Sequence, residues 1–248
     1  MNIQNLLDYT AQFLQVERFK DYCPNGLQVQ GKLEINKIVT GVTASMALLE
    51  AAKHVNADAI LVHHGYFWRN EDARVIGIKQ RRLKYLLENE LNLIAYHLPL
   101  DAHTELGNNA CLAKVLNFNV EKWAGDPAII ACGAIEAPMS LADFGVHIAS
   151  KLNRQPLILG NPKKIIQRVA WCTGAAQNYF EEAIALGVDA YISGEVSEQT
   201  YHWAEESGVA YLACGHHATE RYGIQALGEH LAQKFTIEHV FIDIDNPV

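Results

Sequence analysis

No apolar run in this chain approaches the ~20 residues that a membrane-spanning helix needs. Positive charge is also short: Lys and Arg number 20 against 28 Asp and Glu, a formal net charge of -8 over 248 residues. A nucleic-acid coat needs surplus cations to displace counterions from phosphates, so the balance speaks against that class. It leaves room for a small anionic substrate in a local pocket. Cysteine is sparse and scattered. Cys23, Cys111, Cys132, Cys172 and Cys214 are odd in number and far apart, which argues against a disulfide framework and a thiolate zinc cage. The first twenty residues lack the basic start, apolar block and small-residue cleavage site of a secretory leader. The expectation is a reduced, cytoplasmic protein. P-loop, G-x-S-x-G and G-x-G-x-x-G signatures are missing too. With 50% hydrophobic and 19% charged residues, the chain is globular rather than disordered. Histidine is plentiful, at 11.

Two stretches repeat a plan. Residues 37–65 and 168–196 each read as an apolar strand, a Gly/Thr turn, an amphipathic helix, a small-Asp-Ala turn and a second apolar strand. In register, Asp58 falls on Asp189, and His63 and His64 fall on Gly194 and Glu195. An apolar run follows each copy, one ending in His97-x-x-x-Asp101 and the other in His216-x-x-x-Glu220. The reading is an α/β fold of two similar βαβ-type halves, with largely parallel sheets flanked by helices and a metal site between them. The halves are placed at 1–124 and 125–248, approximately and with interleaving allowed. Ile3, Leu6, Leu7, Thr10, Phe13 and Leu14 follow helical spacing. Ser140-x-x-Asp143 announces a capped helix. Residues 219–234 read as a helix and 236–244 as a closing strand.

Apolar strands run into polar residues at four places: His63–His64, then His97, Asp101 and His103, then Glu195, then His216, His217 and Glu220. Sites in α/β sheets form at the carboxyl ends of strands, so these ends can pool ligands. Imidazole and carboxylate suit zinc, manganese, iron, nickel or cobalt. The number of donors exceeds what one tetrahedral ion takes and matches two ions, which in hydrolases clamp a substrate oxygen and activate water. Each member also has a plainer role. Adjacent strand residues such as His63 and His64 point to opposite faces, and one alone is most often a core histidine bonded to a carbonyl. Asp101 could cap the next helix, and Glu220 could be a first-turn acid. His103 and His217 could orient ligands by hydrogen bonds. Tyr66, Phe67 and Trp68 could wall a pocket or simply pack. Arg69, Lys79, Arg81 and Arg82 could meet phosphates or solvate a helix.

The motifs NGLQVQG (25–31), TGVTAS (40–45), VHHGYFW (62–68), HLPLDAH (97–103), GNN (107–109), SGEVSEQ (193–199) and GHHATER (215–221) together resemble the Nif-three-like family, also called GTP cyclohydrolase I type 2 homologues, in its short bacterial form. The resemblance spans nearly the whole chain. It implies two divalent metal ions held by His63, His64, Asp101, His216 and Glu220, with Glu220 as the bridge, and a ring-shaped homohexamer. The central insertion of longer members is not expected. It also implies a metal-dependent hydrolase of a nucleotide. In the family's namesake reaction water attacks C8 of the guanine of GTP, the imidazole ring opens and formate leaves. His97 and Glu195 are the expected proton-transfer residues. The competing expectation is a metal-containing oligomeric scaffold with little turnover. No membrane and no nucleic-acid partner are expected.

Overall fold

A computed structural model describes residues 1–248. Along the chain come α1 (Ile3–Phe13), β1 (Gly26–Val29), β2 (Lys37–Thr43), α2 (Met46–His54), β3 (Ala59–His64), α3 (Gly77–Glu88), β4 (Asn92–Ala95) and α4 (Leu98–Ala102). Then follow α5 (Asn108–Leu116), β5 (Phe118–Ala124), β6 (Ile130–Ser140), α6 (Leu141–Leu152), β7 (Leu157–Leu159), β8 (Ile165–Trp171) and α7 (Phe180–Ala185). The chain ends with β9 (Ala190–Ser193), α8 (Glu198–Ser207), β10 (Ala210–Ala213), α9 (His216–Phe235) and β11 (Glu238–Phe241). It divides into two compact units: Met1–Leu100 with Ile224–Asp245, and Asp101–Gly223 with Asn246–Val248. Residues 118–124, read from sequence into the first half, form β5 and pair in the second unit's sheet. Strand β11, read into the second half, pairs with β2 in the first unit's sheet.

The first unit holds a sheet ordered β1-β4-β3-β2-β11. Its strands run parallel except for β1, which is antiparallel to β4. Alternate residues feed two cores. Ile38, Ala59, Leu61 and Ile94 pack on one face with Leu6, Leu7, Leu227 and Leu231 from α1 and α9. Val39, Ile60, Val62 and Leu93 pack on the other with Leu48, Leu49 and Leu86 from α2 and α3. A sheet buried on both faces explains why its strands read as continuous apolar runs. The helical spacing expected near the start is met: Ile3, Leu6, Leu7 and Thr10 are the buried residues of α1, and Asn2 caps it.

The second sheet is ordered β5-β6-β8-β9-β10-β7. Only β8–β9 and β9–β10 are parallel, and the other three pairs are antiparallel. The expectation of largely parallel sheets thus holds for the first unit and not for the second. One of the three antiparallel pairs has a local cause: β5 and β6 are joined by a short turn, which only an antiparallel pair allows. Here too alternate residues split between faces, with Val169, Trp171 and Ile192 in one core and Ala170, Cys172 and Tyr191 in the other. Ser140 Oγ accepts from the Asp143 amide at 3.1 Å, capping α6 as its sequence announces. Helix α9 begins at His216, three residues before its expected start, and β11 is shorter than expected.

The two βαβ copies share a detail. Asp58 Oδ2 accepts from the amides of Asn36 and Lys37 at 2.9 and 3.2 Å. Asp189 Oδ2 accepts from the amides of Gln167 and Arg168 at 3.0 and 2.8 Å. Each aspartate ties the turn before one parallel strand to the start of its neighbour, which fixes register.

Candidate metal centre

Parallel pairing of β3 with β4, Val62 opposite Ala95, brings the carboxyl ends of both strands together. His63 and His64 close β3, and His97 lies two residues past β4. The pleat would send adjacent side chains apart, yet the His63 and His64 rings lie 4.5 Å apart between centroids. They sit at the strand terminus, where the chain turns at Gly65 and long imidazoles can reach round the end. His97 is 5.0 Å from His63 and 5.9 Å from His64, centroid to centroid. One ligand atom from each of the three lies within 4.8 Å of the others.

In the second unit β9 and β10 are paired up to Ser193 and Ala213. Glu195 and His216 follow those ends. His216 and Glu220 are four residues apart on α9, one helical turn, so both face the same way. Their Nε2 and Oε2 atoms are 3.1 Å apart. Asp101 and Glu220 are buried, and a carboxylate oxygen of each lies within 4.8 Å of the other. Asp101 does not cap the next helix: it lies inside α4, and Gly107 holds the cap position of α5. Instead Asp101 Oδ1 accepts from Asn108 Nδ2 at 2.8 Å and from the Thr173 hydroxyl at 3.4 Å. Two glycines make room. A Cβ on Gly174, whose φ is +69°, would stand 2.0 Å from Glu220 Oε1, and one on Gly194 would stand 2.6 Å from His216 Cα.

The hydrogen bonds on the imidazoles decide what they can hold. His63 Nδ1 faces the Tyr96 carbonyl at 3.0 Å and His64 Nδ1 faces the Thr43 hydroxyl at 3.1 Å. His97 Nδ1 bonds Asp21 Oδ1 at 2.7 Å, and His216 Nδ1 bonds Glu195 Oε1 at 2.7 Å. A carbonyl or carboxylate can only accept, so Nδ1 donates in His63, His97 and His216. In the neutral ring Nε2 then carries the lone pair, the arrangement metal-binding histidines use. The donor set of imidazole nitrogens and buried carboxylates therefore fits divalent ions, with His216 shedding a proton to bind one. One thiol lies close by, Cys23, whose sulfur is within 4.8 Å of a ligand atom of Asp21 and of His97, and its burial favours the protonated form. Burial pushes the Cys23 thiol up to about 12, with nearby Asp21 adding to it. Burial likewise holds the Cys172 thiol well above its usual range, with Asp101 and Glu220 adding to it.

The charges are coupled. Burial lowers the His216 imidazole, but the Glu220 and Glu195 carboxylates outweigh it and hold its pKa at about 9. Burial would raise the Asp21 carboxyl, yet His97, Asn25 and the Tyr22 amide hold it below the usual carboxylate range. Asp21 is the side chain of this candidate site that sequence reasoning passed over. It is 76 residues from its partner His97, in a loop with no periodic pattern. Asn25, which accepts from the His97 amide at 2.8 Å, and Asn108 lie in the NGLQVQG and GNN motifs, whose spacing alone gives them no role. His103, considered as an orienting residue, has its Nδ1 accepting from the Glu105 and Leu106 amides at 3.3 and 3.1 Å, in the turn before α5.

No helix is long and apolar enough to cross a membrane. A family model described as Duf34/NIF3 (NGG1p interacting factor 3) matches residues 1–247. A Pseudomonas aeruginosa protein named GTP cyclohydrolase 1 type 2 homolog is 54% identical over 250 residues, covering 99% of this chain and 98% of its own length. A solved structure titled as structural genomics protein ybgI, of unknown function, superposes with a TM-score of 0.97 at 48% identity and full coverage of both chains. A Thermus thermophilus protein, TTHA1606, gives 0.90 at 30% identity, again over the whole of both. The chain therefore belongs to the Duf34/NIF3 family.

Proposed function

We propose that the protein is a metal-dependent hydrolase of a purine nucleotide, opening the guanine imidazole ring of GTP with loss of formate. The observation that carries this reading is the Nδ1 engagement of His63, His97 and His216, which aims Nε2 lone pairs as a metal site requires. The name GTP cyclohydrolase 1 type 2 homolog, borne by relatives about half identical, supports the reaction class. His63, His64, Asp101, His216 and Glu220 are the residues that would hold two divalent ions. Bound ions of this kind activate water and stabilise negative charge on the substrate oxygen.

The chain's own groups do the rest. Asn108 and Thr173 hold the Asp101 carboxylate by donating to it. Glu195 fixes the His216 ring and is the nearer candidate to relay a proton on that side. His97, backed by Asp21, is the proposed proton-transfer residue on the other, its Nε2 being the atom that takes and returns the proton. We further propose that the protein works as a homohexamer in the cytoplasm, to be checked by light scattering coupled to gel filtration.

The test is direct. Metal-loaded protein incubated with GTP is expected to release formate and yield a pterin fluorophore, and a His63→Ala, Glu220→Ala double variant is expected not to. Equal rates in the two proteins refute the assignment.

A further inference from the structure

One cavity lies beside the histidine cluster of the first unit. It measures about 260 Å³ and is walled by Tyr66, Trp68, Glu71, Ile78, Lys79 and Arg82, with Gly65 at its edge. Trp68 joins the two places. Its ring lies edge-on to His97 at 5.0 Å and 6.1 Å from His64, between centroids, and it also lines the cavity. The loop carrying it is fixed tightly. Trp68 Nε1 donates to the Gly65 carbonyl at 3.2 Å, and its amide donates to Glu71 Oε2 at 2.9 Å. Lys79 clamps the loop to α3 through Glu71 at 2.8 Å and the Asp72 carbonyl at 3.0 Å. Phe67, inside the loop, has φ +64°. A bulky residue there stores backbone strain, which persists only where surroundings enforce it.

Lys79 is thereby committed, and Arg82 is not. Its Nε is buried and has no hydrogen-bond partner. The Tyr66 ring, 5.9 Å from its Cζ, is the neighbour it has. A buried guanidinium nitrogen lacking an acceptor is costly in a fold that satisfies most of its polar groups. A planar fork of donors over an aromatic wall is also what binds a phosphate oxygen pair. The volume lies just below that of whole-ligand pockets, ~300–1,000 Å³, so it suits a phosphate end with the rest of the molecule lying past Trp68.

We propose that this cavity seats the phosphate of a nucleoside phosphate, with Arg82 as the anion-binding residue and Trp68 as the wall that turns the remainder toward His64 and His97. The inference rests on the nucleotide reading of the metal centre and assigns a place to the charged end of that substrate.

The test is calorimetric titration of the full chain as purified with GTP, guanosine and inorganic triphosphate, alongside Arg82→Met and Arg82→Lys variants matched for metal content and melting temperature. GTP is expected to bind tighter than guanosine and to compete with triphosphate. Arg82→Met is expected to weaken GTP at least tenfold and leave guanosine unchanged, with Arg82→Lys restoring part of the loss. Unchanged GTP affinity in Arg82→Met, or guanosine binding as tightly as GTP, overturns the proposal. Turnover separates the two ideas. Arg82-dependent binding without formate release keeps the phosphate seat and removes the cyclohydrolase. Formate release with unaltered KM in Arg82→Met does the reverse.

Discussion

A carboxylate on Nδ1 leaves a neutral imidazole one lone pair to give, at Nε2, and makes that nitrogen a stronger donor. Glu195 stands so to His216 and Asp21 to His97, each at 2.7 Å. Replacing Glu195 by Gln keeps the size and removes the charge. The expected result is a loss of roughly 10–100-fold in metal affinity, read by competition with a chromophoric chelator. Gly174 makes a sharper case. Its φ of +69° already disfavours a side chain, and the added carbon would meet Glu220 Oε1 at 2.0 Å. Gly174→Ala is expected to expel Glu220 from its place and cost about 1–3 kcal/mol in stability. Elemental analysis and a melt check both halves of that expectation. Metal bound at the wild-type level in Gly174→Ala would mean that Glu220 is not a ligand.

The βαβ elements owe their register to Asp58 and Asp189, and the equivalence of these residues was visible in the sequence alone. Removing either side chain breaks two hydrogen bonds from backbone amides to a carboxylate, so Asp58→Ala and Asp189→Ala are each expected to cost about 1–3 kcal/mol. Denaturant unfolding of the two variants measures this. Asp58 also predicts a pH effect. Burial would raise its carboxyl, but Lys32 and the Asn36 and Lys37 amides hold it below the usual carboxylate range. A depressed carboxylate stabilises the fold above its unfolded value, and that contribution is lost as pH falls through the depressed folded value. Wild type is therefore expected to lose stability below about pH 4 more steeply than Asp58→Ala. Identical acid limbs for the two proteins would show that the aspartate is not held as described. Legibility followed the same physics. Helices α1 and α6 were legible because eleven or twelve residues of periodic apolarity and a capping side chain carry local information. The four strand-end clusters were legible because apolar runs stop abruptly at polar residues. The second sheet's mixed order was not: β7 has three residues and β9 and β10 four each, too few for a period, and pairing direction is set by partners far along the chain. The same distance hid Asp21, whose role exists only when the loop meets His97.

For the whole molecule the proposed ions are ligands of the native state, and mass action follows. Ions that bind the fold and not the unfolded chain stabilise it by RT ln(1 + [L]/Kd), about 2.7 kcal/mol at a hundredfold excess over Kd. A protein of this size shifts its melting temperature by roughly 2–4 °C per kcal/mol. Chelation is therefore expected to lower Tm by about 5–10 °C. Re-adding zinc, manganese, iron, nickel or cobalt one at a time should restore it, most strongly for the ion held tightest. The His63→Ala, Glu220→Ala variant removes one proposed ligand from each of two sequence-distant motifs, and should melt at one temperature with or without chelator. The comparison is scanning calorimetry of both proteins, dialysed and metal-loaded. A chelator-insensitive wild type would remove the metal centre. An equal shift in the double variant would move the ions to other ligands, and the engaged Nδ1 atoms would then be ordinary core hydrogen bonds.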